Sequence, residues 1–185
     1  KASIQPPKNR ETRITKDMIN YDLSKIRAIF FDVDGVLSCE TITQHPNGEP
    51  MRTVNIKDGY AMQHAVKCGL LLAIISGGKT EAVAKRYHGL GITEVHLGVK
   101  VKLLLYNELK EKYKLSDEEI AYVSDDIPDY EVLTKCGLPC CPSDAAPEIK
   151  DVCTYISHKE GGKGCARDIL EQILKTQNLW MHNNK

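Results

Sequence analysis

Short apolar runs alternate with helix-like segments along the chain from Ile26 onwards. The runs at 26–33 (IRAIFFDV) and 70–76 (LLLAIIS) are predominantly apolar, which is typical of strands buried on both faces of a sheet. Between these runs, Asp58 supplies a helix start signal and Gly69 a helix stop signal. The alternation predicts an α/β fold with a doubly wound, mostly parallel, Rossmann-like sheet.

The remaining predicted elements follow in the same alternating order. We expect strands at 94–98, 120–124, 138–141 and 154–157, and helices at 79–91, 100–114, 127–137, 144–152 and 163–177. Asn47 and Gly48 form a turn signal between two β-favouring arms, which predicts a hairpin flap over 36–56. The segments that separate the strands are too short for a cap domain.

Length and charge limit the classes of protein to consider. A chain of 185 residues has the size of one domain, and we predict a flexible arm at 1–20 followed by a single domain at 21–185. The 25 basic residues balance the 25 acidic residues, so no charge excess indicates a nucleic-acid or membrane partner. The seven scattered cysteines favour reduced thiols and a cytoplasmic location.

Two aspartates follow the first predicted strand in the sequence DVDG. Asp32 and Asp34 point to the same side if the extended backbone continues to the strand end. Two carboxylates at this distance repel each other unless a cation lies between them, and Mg²⁺ prefers oxygen ligands. Solvated loop aspartates remain an alternative for this pair when it is considered alone.

Three further polar features follow predicted strands or open predicted helices. Ser76 precedes two glycines that suit a phosphate oxygen, Lys102 begins a helix, and Asp125 and Asp126 follow the strand at 120–124. Alone, they could be a plain turn, a surface lysine and helix caps. Together with DVDG they converge on one sheet edge, which predicts a metal-dependent phosphoryl-transfer site.

In these four motifs the chain resembles the haloacid dehalogenase superfamily of phosphatases. DVDGVLS, NIKDGYAM and GGKGCARD make it similar to the 3-deoxy-D-manno-octulosonate 8-phosphate phosphatase family, phosphoric monoester hydrolases of lipopolysaccharide biosynthesis. The resemblance implies that Asp32 is the nucleophile and that Asp34 moves the proton. It also implies that Ser76 and Lys102 hold the phosphoryl group, that Asp32, the Asp34 carbonyl and Asp125 bind Mg²⁺, and that Asp126 supports the metal site.

The same resemblance implies a set of substrate-binding positions. They are Asp34, Asn55, Ile56, Lys57, Asp58, Gly59, Gln63, Gly78, Arg86 and Lys102. Gln63 and Gly78 stand where many members carry arginine. The alternative substrates are therefore the nine-carbon 9-phosphates of KDN or N-acetylneuraminate, although Gly78 differs from the glutamate that is common in that sister group.

The resemblance also implies a homotetramer. Because no cap domain fits, a neighbouring subunit is expected to help to exclude water from the site. We expect the hairpin at 36–56 and the segment at 159–168 to lie near subunit interfaces.

Two alternative functions without phosphatase activity are compatible with parts of this pattern. A phosphorylated signalling module is disfavoured because Asp34 would speed hydrolysis of its phosphoaspartate. An inactive, interaction-only relative is disfavoured because all the reactive groups are present.

Overall fold

The computed structural model describes residues 18–181. Residues 1–17 of the predicted arm lie outside this range. Ile19, near the end of the predicted arm, is buried, and its backbone N–H donates to Oε1 of Gln172 at 2.9 Å. The chain is therefore attached to the domain from Ile19 onwards.

Within residues 18–181, six parallel strands form the central sheet, and two short strands form a hairpin beside it. The strands are β1 (Ala28–Phe31), β2 (Thr43–Gln44), β3 (Pro50–Met51), β4 (Leu71–Ile75), β5 (Glu94–His96), β6 (Ile120–Val123), β7 (Leu138–Cys141) and β8 (Tyr155–Ile156). The order in the sheet is β5-β4-β1-β6-β7-β8, and every neighbouring pair is parallel. The predicted doubly wound parallel sheet is confirmed.

In the part of the chain that the structure describes, six α-helices cover the two faces of this sheet. They are α1 (Ile56–Lys67), α2 (Glu81–His88), α3 (Lys102–Lys112), α4 (Tyr130–Leu133), α5 (Pro147–Val152) and α6 (Cys165–Thr176). Ile29 and Phe31 of β1 belong to the buried cluster that includes α1, α2 and α6 residues. Phe30, which points to the other face, belongs to the cluster that includes α3, α4 and α5 residues. Between residues 18 and 181, no helix combines the length and apolarity needed to cross a membrane.

The start of α1 differs from the prediction. Asn55, not Asp58, is the N-cap residue, because its backbone is extended and its side chain accepts from the N–H groups of Lys57 and Asp58. Asp58 instead lies buried in the first turn. The helix ends as predicted, with Gly69 in the left-handed region at φ 89°.

The predicted hairpin forms, but its ladder is short. Thr43 pairs with Met51 and Gln44 with Pro50, and residues 45–49 make the loop. Gly48 has φ 88°, and the N–H of Glu49 donates to the side chain of Asn47. Within the described chain, the hairpin and α1 are the elements that separate β1 from β4.

Candidate active site

A cleft of about 660 Å³ lies where β1, β4 and β6 end. Its lining includes most of the predicted chemical groups: Asp32, Asp34, Ser76, Gly78, Lys102, Asp125 and Asp126. The strands are adjacent and parallel, so their carboxyl ends meet at one edge of the sheet. The predicted convergence of these residues is therefore seen in the fold.

Asp32 lies at the end of β1 beside the ammonium group of Lys102. Nζ of Lys102 is 3.0 Å from Oδ1 of Asp32, and the N–H of Val33 donates to the same oxygen at 2.8 Å. Burial raises the pKa of Asp32 above its usual value, against the opposing effect of Lys102. Since both contacts use Oδ1, Oδ2 is the oxygen that remains available for attack.

Lys102 is held by a buried aspartate that sequence reasoning did not assign to the site. Asp129 accepts from Nζ of Lys102 at 2.6 Å and from the hydroxyls of Tyr122 and Ser124 at 2.5 and 2.6 Å. Burial lowers the pKa of Lys102, but Asp32 and Asp129 outweigh this effect and raise it. Asp129 thus fixes the position and the charge of the lysine. Asp129 lies four residues after Asp125, but the sequence gives no sign of its burial.

Asp125 approaches the turn after β1 because residue 35 is a glycine. A Cβ built on Gly35, whose φ is 80°, would lie only 1.9 Å from Oδ2 of Asp125. Burial and the neighbouring charge of Asp32 raise the pKa of Asp125 to about 7. Asp126 is exposed at the start of the following turn, and its side chain makes no capping hydrogen bond.

The cleft has a strong excess of negative charge. Of the described residues that line it, six carry carboxylates (Asp32, Asp34, Glu40, Asp125, Asp126 and Asp144) and two are lysines (Lys100 and Lys102). Among residues 18–181, no three His, Cys, Asp or Glu side chains are arranged to hold a metal. The predicted ligand set needs only two carboxylate side chains, with a backbone carbonyl as its third member. The excess charge and the mutual repulsion of Asp32 and Asp125 fit a divalent cation.

Ser76 lies in a narrow turn at the end of β4. It is buried, its Oγ accepts from the N–H of Gly78 at 3.1 Å, and its carbonyl accepts from the N–H of Val99 at 3.0 Å. These contacts hold the turn beside Asp32 and Lys102 in the cleft. The Ser76 hydroxyl can still donate its hydrogen to a phosphoryl oxygen, whereas the N–H of Gly78 is already used within the turn.

Asp34 is paired with an arginine that the sequence did not reveal. Nε of Arg52 lies 2.6 Å from Oδ1 of Asp34, and Nη2 lies 2.9 Å from Oδ2. Arg52 follows the hairpin strand β3, and only the folded hairpin brings it to the cleft. The sequence shows only that Arg52 is a basic residue within the predicted hairpin at 36–56, which does not indicate a contact with Asp34.

Several predicted substrate-binding residues lie away from the lining of this cleft. They are Asn55, Ile56, Lys57, Asp58, Gly59, Gln63 and Arg86. Arg86 instead lines a second cavity of about 390 Å³ between the hairpin and α2. A Cβ on Gly59 would lie 2.4 Å from Nη2 of Arg86, so the glycine allows that close approach.

The segment at 159–168 contacts the turn after β1 in its own chain. A Cβ built on Gly161 would lie 1.9 Å from the carbonyl oxygen of Gly35, and the N–H of Gly162 donates to the carbonyl of Val36 at 2.8 Å. Nδ2 of Asn55 also donates to the carbonyl of Gly162, at 3.4 Å. The segment therefore supports the base of the hairpin.

Known proteins resemble the chain in sequence and in fold. It is 37% identical to 3-deoxy-D-manno-octulosonate 8-phosphate phosphatase KdsC of Salmonella typhi over 82% of this chain and 81% of that protein. The phosphatase structure from Yersinia pestis has a TM-score of 0.85 and 31% identity, covering 90% of this chain and 89% of that one.

A third relative was solved with ligands. It is the Moraxella catarrhalis phosphatase in complex with magnesium, phosphate and KDO, with a TM-score of 0.81 and 31% identity over 84% of this chain and 90% of that one. No protein-family model matches the chain. On these similarities, the chain belongs to the 3-deoxy-D-manno-octulosonate 8-phosphate phosphatase family of the haloacid dehalogenase superfamily.

Proposed function

We propose that the protein is a Mg²⁺-dependent phosphatase that hydrolyses 3-deoxy-D-manno-octulosonate 8-phosphate in lipopolysaccharide biosynthesis. The observation that carries the proposal is the placement of Asp32 beside Lys102 and Asp125 in one cleft. Family membership supports both the reaction and the substrate.

In this mechanism Asp32 attacks the phosphate. Two anions repel each other, so a carboxylate can approach a phosphate only where positive charge offsets the repulsion. Lys102 supplies one such charge at 3.0 Å from Asp32. The hydroxyl of Ser76 orients a phosphoryl oxygen, and Oδ2 of Asp32 bonds to phosphorus to give an aspartyl phosphate.

Asp34 moves the proton in both halves of the reaction. It protonates the departing alcohol oxygen in the first half and takes a proton from the attacking water in the second. Its location two residues after Asp32, in the lining of the same cleft, supports this role. Water then releases phosphate and restores the Asp32 carboxylate.

The carboxylates of Asp32 and Asp125 and the backbone carbonyl of Asp34 would hold Mg²⁺. When bound, the ion neutralises phosphate charge and orients the ester. Asp126, exposed at the rim, would add negative charge to the metal site. The six carboxylates that line the described part of the cleft support a cation at this position.

We further propose a homotetramer in which each site is completed by a neighbour. The predicted substrate-binding residues 55–59 lie outside the cleft of their own chain. Near them, Met51, Val54, Ile56 and Tyr60 expose apolar surface. These exposed groups, on the hairpin and the start of α1, would reach a second subunit, while the segment at 159–168 would hold the hairpin base near that interface. The cytoplasmic location remains a prediction from cysteine usage.

The test is a panel of phosphate esters assayed with Mg²⁺. It includes 3-deoxy-D-manno-octulosonate 8-phosphate, the 9-phosphates of KDN and N-acetylneuraminate, and p-nitrophenyl phosphate. We expect turnover to favour the eight-carbon ester and to stop when EDTA removes the metal. Asp32→Asn, which keeps the shape but removes the nucleophile, is the matched control. Preference for a nine-carbon ester would overturn the substrate, and no turnover of any ester would overturn the enzyme activity.

A further inference from the structure

Arg52 reaches from the end of the hairpin to both oxygens of Asp34. The distances are 2.6 Å from Nε to Oδ1 and 2.9 Å from Nη2 to Oδ2, and Oγ of Ser38 donates to Oδ1 at 3.3 Å. The Arg52 side chain is only 10% exposed, although its neighbours Met51 and Thr53 are exposed. A bidentate arginine fixes both the position and the plane of a carboxylate.

Thr80 holds the other side of the guanidinium group. Nη1 of Arg52 donates to Oγ1 of Thr80 at 2.9 Å. Thr80 is the N-cap residue of α2, but its side chain makes no capping hydrogen bond to that helix. The hydroxyl that would cap the helix therefore anchors Arg52 instead.

Gly78 provides the space that Arg52 occupies. A Cβ built on Gly78 would lie 2.8 Å from Nη2 of Arg52 and 3.3 Å from Oγ of Ser76. A side chain at this position would therefore displace the guanidinium group from Asp34. The turn after β4 and the hairpin are thus coupled through a single arginine.

We propose that Arg52 is the positioning residue for Asp34 and that Gly78 is the residue that makes room for it. The inference deepens the proposed phosphatase function and rests on it. An ionised carboxylate has about four lone-pair sites. Arg52 and Ser38 together occupy two sites on Oδ1, and Arg52 occupies one on Oδ2, so Oδ2 keeps acceptor capacity for the reacting groups. Arg52 thereby orients the remaining acceptor site of Asp34 toward the cleft.

Both proton transfers depend on this orientation of the Asp34 carboxyl group. Asp34 enters the first step protonated: the bond from Asp32 to phosphorus forms, the ester P–O bond breaks, and Asp34 gives its proton to the departing oxygen, which leaves the ionised carboxylate that Arg52 holds. In the second step a water oxygen bonds to phosphorus, the bond to Asp32 breaks, and the water proton goes to Asp34. A misplacement of about 1 Å can slow such a step by about 100-fold.

The experiment compares Arg52→Ala with the wild type on two esters. p-Nitrophenolate leaves with little need for a proton, so with p-nitrophenyl phosphate only the hydrolysis of the aspartyl phosphate should slow. We expect kcat and KM to fall together, kcat/KM to stay within about 2-fold, and a burst of p-nitrophenolate to appear. With the eight-carbon ester, whose alcohol needs the proton, we expect kcat/KM to fall by about 100-fold.

Two arginine variants serve as comparisons. Arg52→Lys keeps the charge but cannot make the bidentate contact with Asp34. Its kcat/KM for the eight-carbon ester should therefore lie between those of Arg52→Ala and the wild type. Arg27→Ala removes an exposed arginine that pairs with Glu119 at the opposite end of β1, and it should leave both esters unaffected. Thermal unfolding and circular dichroism of each variant show that it is folded.

A double-mutant cycle tests the role of Gly78. Gly78→Ala should lower kcat/KM for the eight-carbon ester, as Arg52→Ala does. The double variant should have a kcat/KM no lower than that of Arg52→Ala alone. Independent effects that multiply would overturn the coupling between the two residues.

Three further outcomes would overturn the inference. A folded Arg52→Ala enzyme with wild-type kinetics on both esters would remove any role for the arginine. A lower kcat/KM for the eight-carbon ester, which carries a carboxylate, together with unchanged kcat and KM for p-nitrophenyl phosphate, would indicate that Arg52 binds substrate instead. A wild type that is inactive on every ester would overturn the proposed function, and the inference with it.

Discussion

Asp32 and Asp34 have the same side chain but different neighbours, and these neighbours separate their roles. Asp32 is mostly buried, and the ammonium group of Lys102 contacts one of its oxygens. Asp34 is more exposed and is held through both oxygens by Arg52. A buried carboxylate with one unoccupied oxygen suits attack, whereas an accessible, oriented carboxylate suits proton transfer.

Asp129→Asn should cost both stability and activity. The amide cannot balance the charge of Lys102, which would be left buried beside Asp32 alone. We expect the free energy of unfolding to fall by about 3–5 kcal/mol and kcat to fall by about 100-fold. Urea unfolding and ester turnover measure these effects. Glu81→Gln, which breaks an exposed pair with Lys85, should change stability by less than about 0.5 kcal/mol.

Asp58→Asn should stabilise the protein at neutral pH. Oδ2 of Asp58 has no hydrogen-bond partner among the described residues, and burial raises the pKa of this carboxyl to about 6. A carboxyl with a higher pKa in the folded state destabilises the fold as pH rises from about 4 to 6, and the full cost remains above that range. We therefore expect a gain of up to about 3 kcal/mol at pH 8 that disappears near pH 4.

Urea unfolding at the two pH values measures this gain. Asp151→Asn changes an exposed carboxylate in α5 and should show neither effect. An equal gain at pH 4 and pH 8 would contradict the electrostatic explanation.

The site residues that could be predicted are those that follow strands. Asp32, Ser76 and Asp125 each come directly after, or within two residues of, a strand end, and the ends of adjacent parallel strands must meet. Arg52 could not be assigned, because its position depends on the path of an irregular hairpin. The role of Asp129 depends on burial and on side-chain direction, neither of which a single sequence shows.

At the scale of elements, the hairpin depends on a loop from the far end of the chain. Gly161 packs on the backbone of Gly35, and its N–H donates to Asp144 in the cleft lining at 2.9 Å. The predicted hairpin is present, but its strands pair over only two residues each. The pattern of β-favouring residues indicated the element and could not give the length of its ladder, which depends on these distant contacts.

Gly161→Ala should disturb this junction. The new methyl group would overlap the carbonyl oxygen of Gly35, so we expect a loss of about 1–3 kcal/mol of stability and reduced kcat. Gly69→Ala is the matched control, because no atom of the described residues lies within 4 Å of the added Cβ and the strain comes from its φ of 89°. That control should cost about 1–2 kcal/mol of stability and no activity. Equal kcat values for the two variants would contradict a link between the junction and the cleft.

At the scale of the whole molecule, several exposed apolar groups lie in the same stretch of sequence as the residues that are predicted to bind substrate. Ile56 is 78% exposed at the start of α1, and Met51 and Tyr60 are exposed beside it in sequence. Contiguous exposed apolar surface is typical of interaction surfaces, and these groups lie close together in sequence. This surface is the one expected to meet a neighbouring subunit.

Ile56→Asp should weaken the proposed tetramer and lower activity. A carboxylate would be desolvated at the subunit contact, so we expect light scattering to show a shift toward smaller species and turnover to fall with it. Leu104→Asp, which places the same charge at an exposed site on α3, should keep both the mass and the activity. A wild type that is monomeric and fully active would rule out the shared site.

The central position of β1 has a consequence for the order in which the protein folds. Ala28 pairs with Leu71 on one side and with Ile120 on the other, so the strand that precedes Asp32 can complete its pairing only after much later residues have been synthesised. Pairing strands that are distant in sequence costs loop-closure entropy before any stabilising contact has formed, which makes folding slow. A nascent chain that ends after α2 already contains Asp32, Asp34 and Ser76, but it lacks the strand that delivers Asp125. The protein should therefore become active late in folding, after β6 has paired with β1.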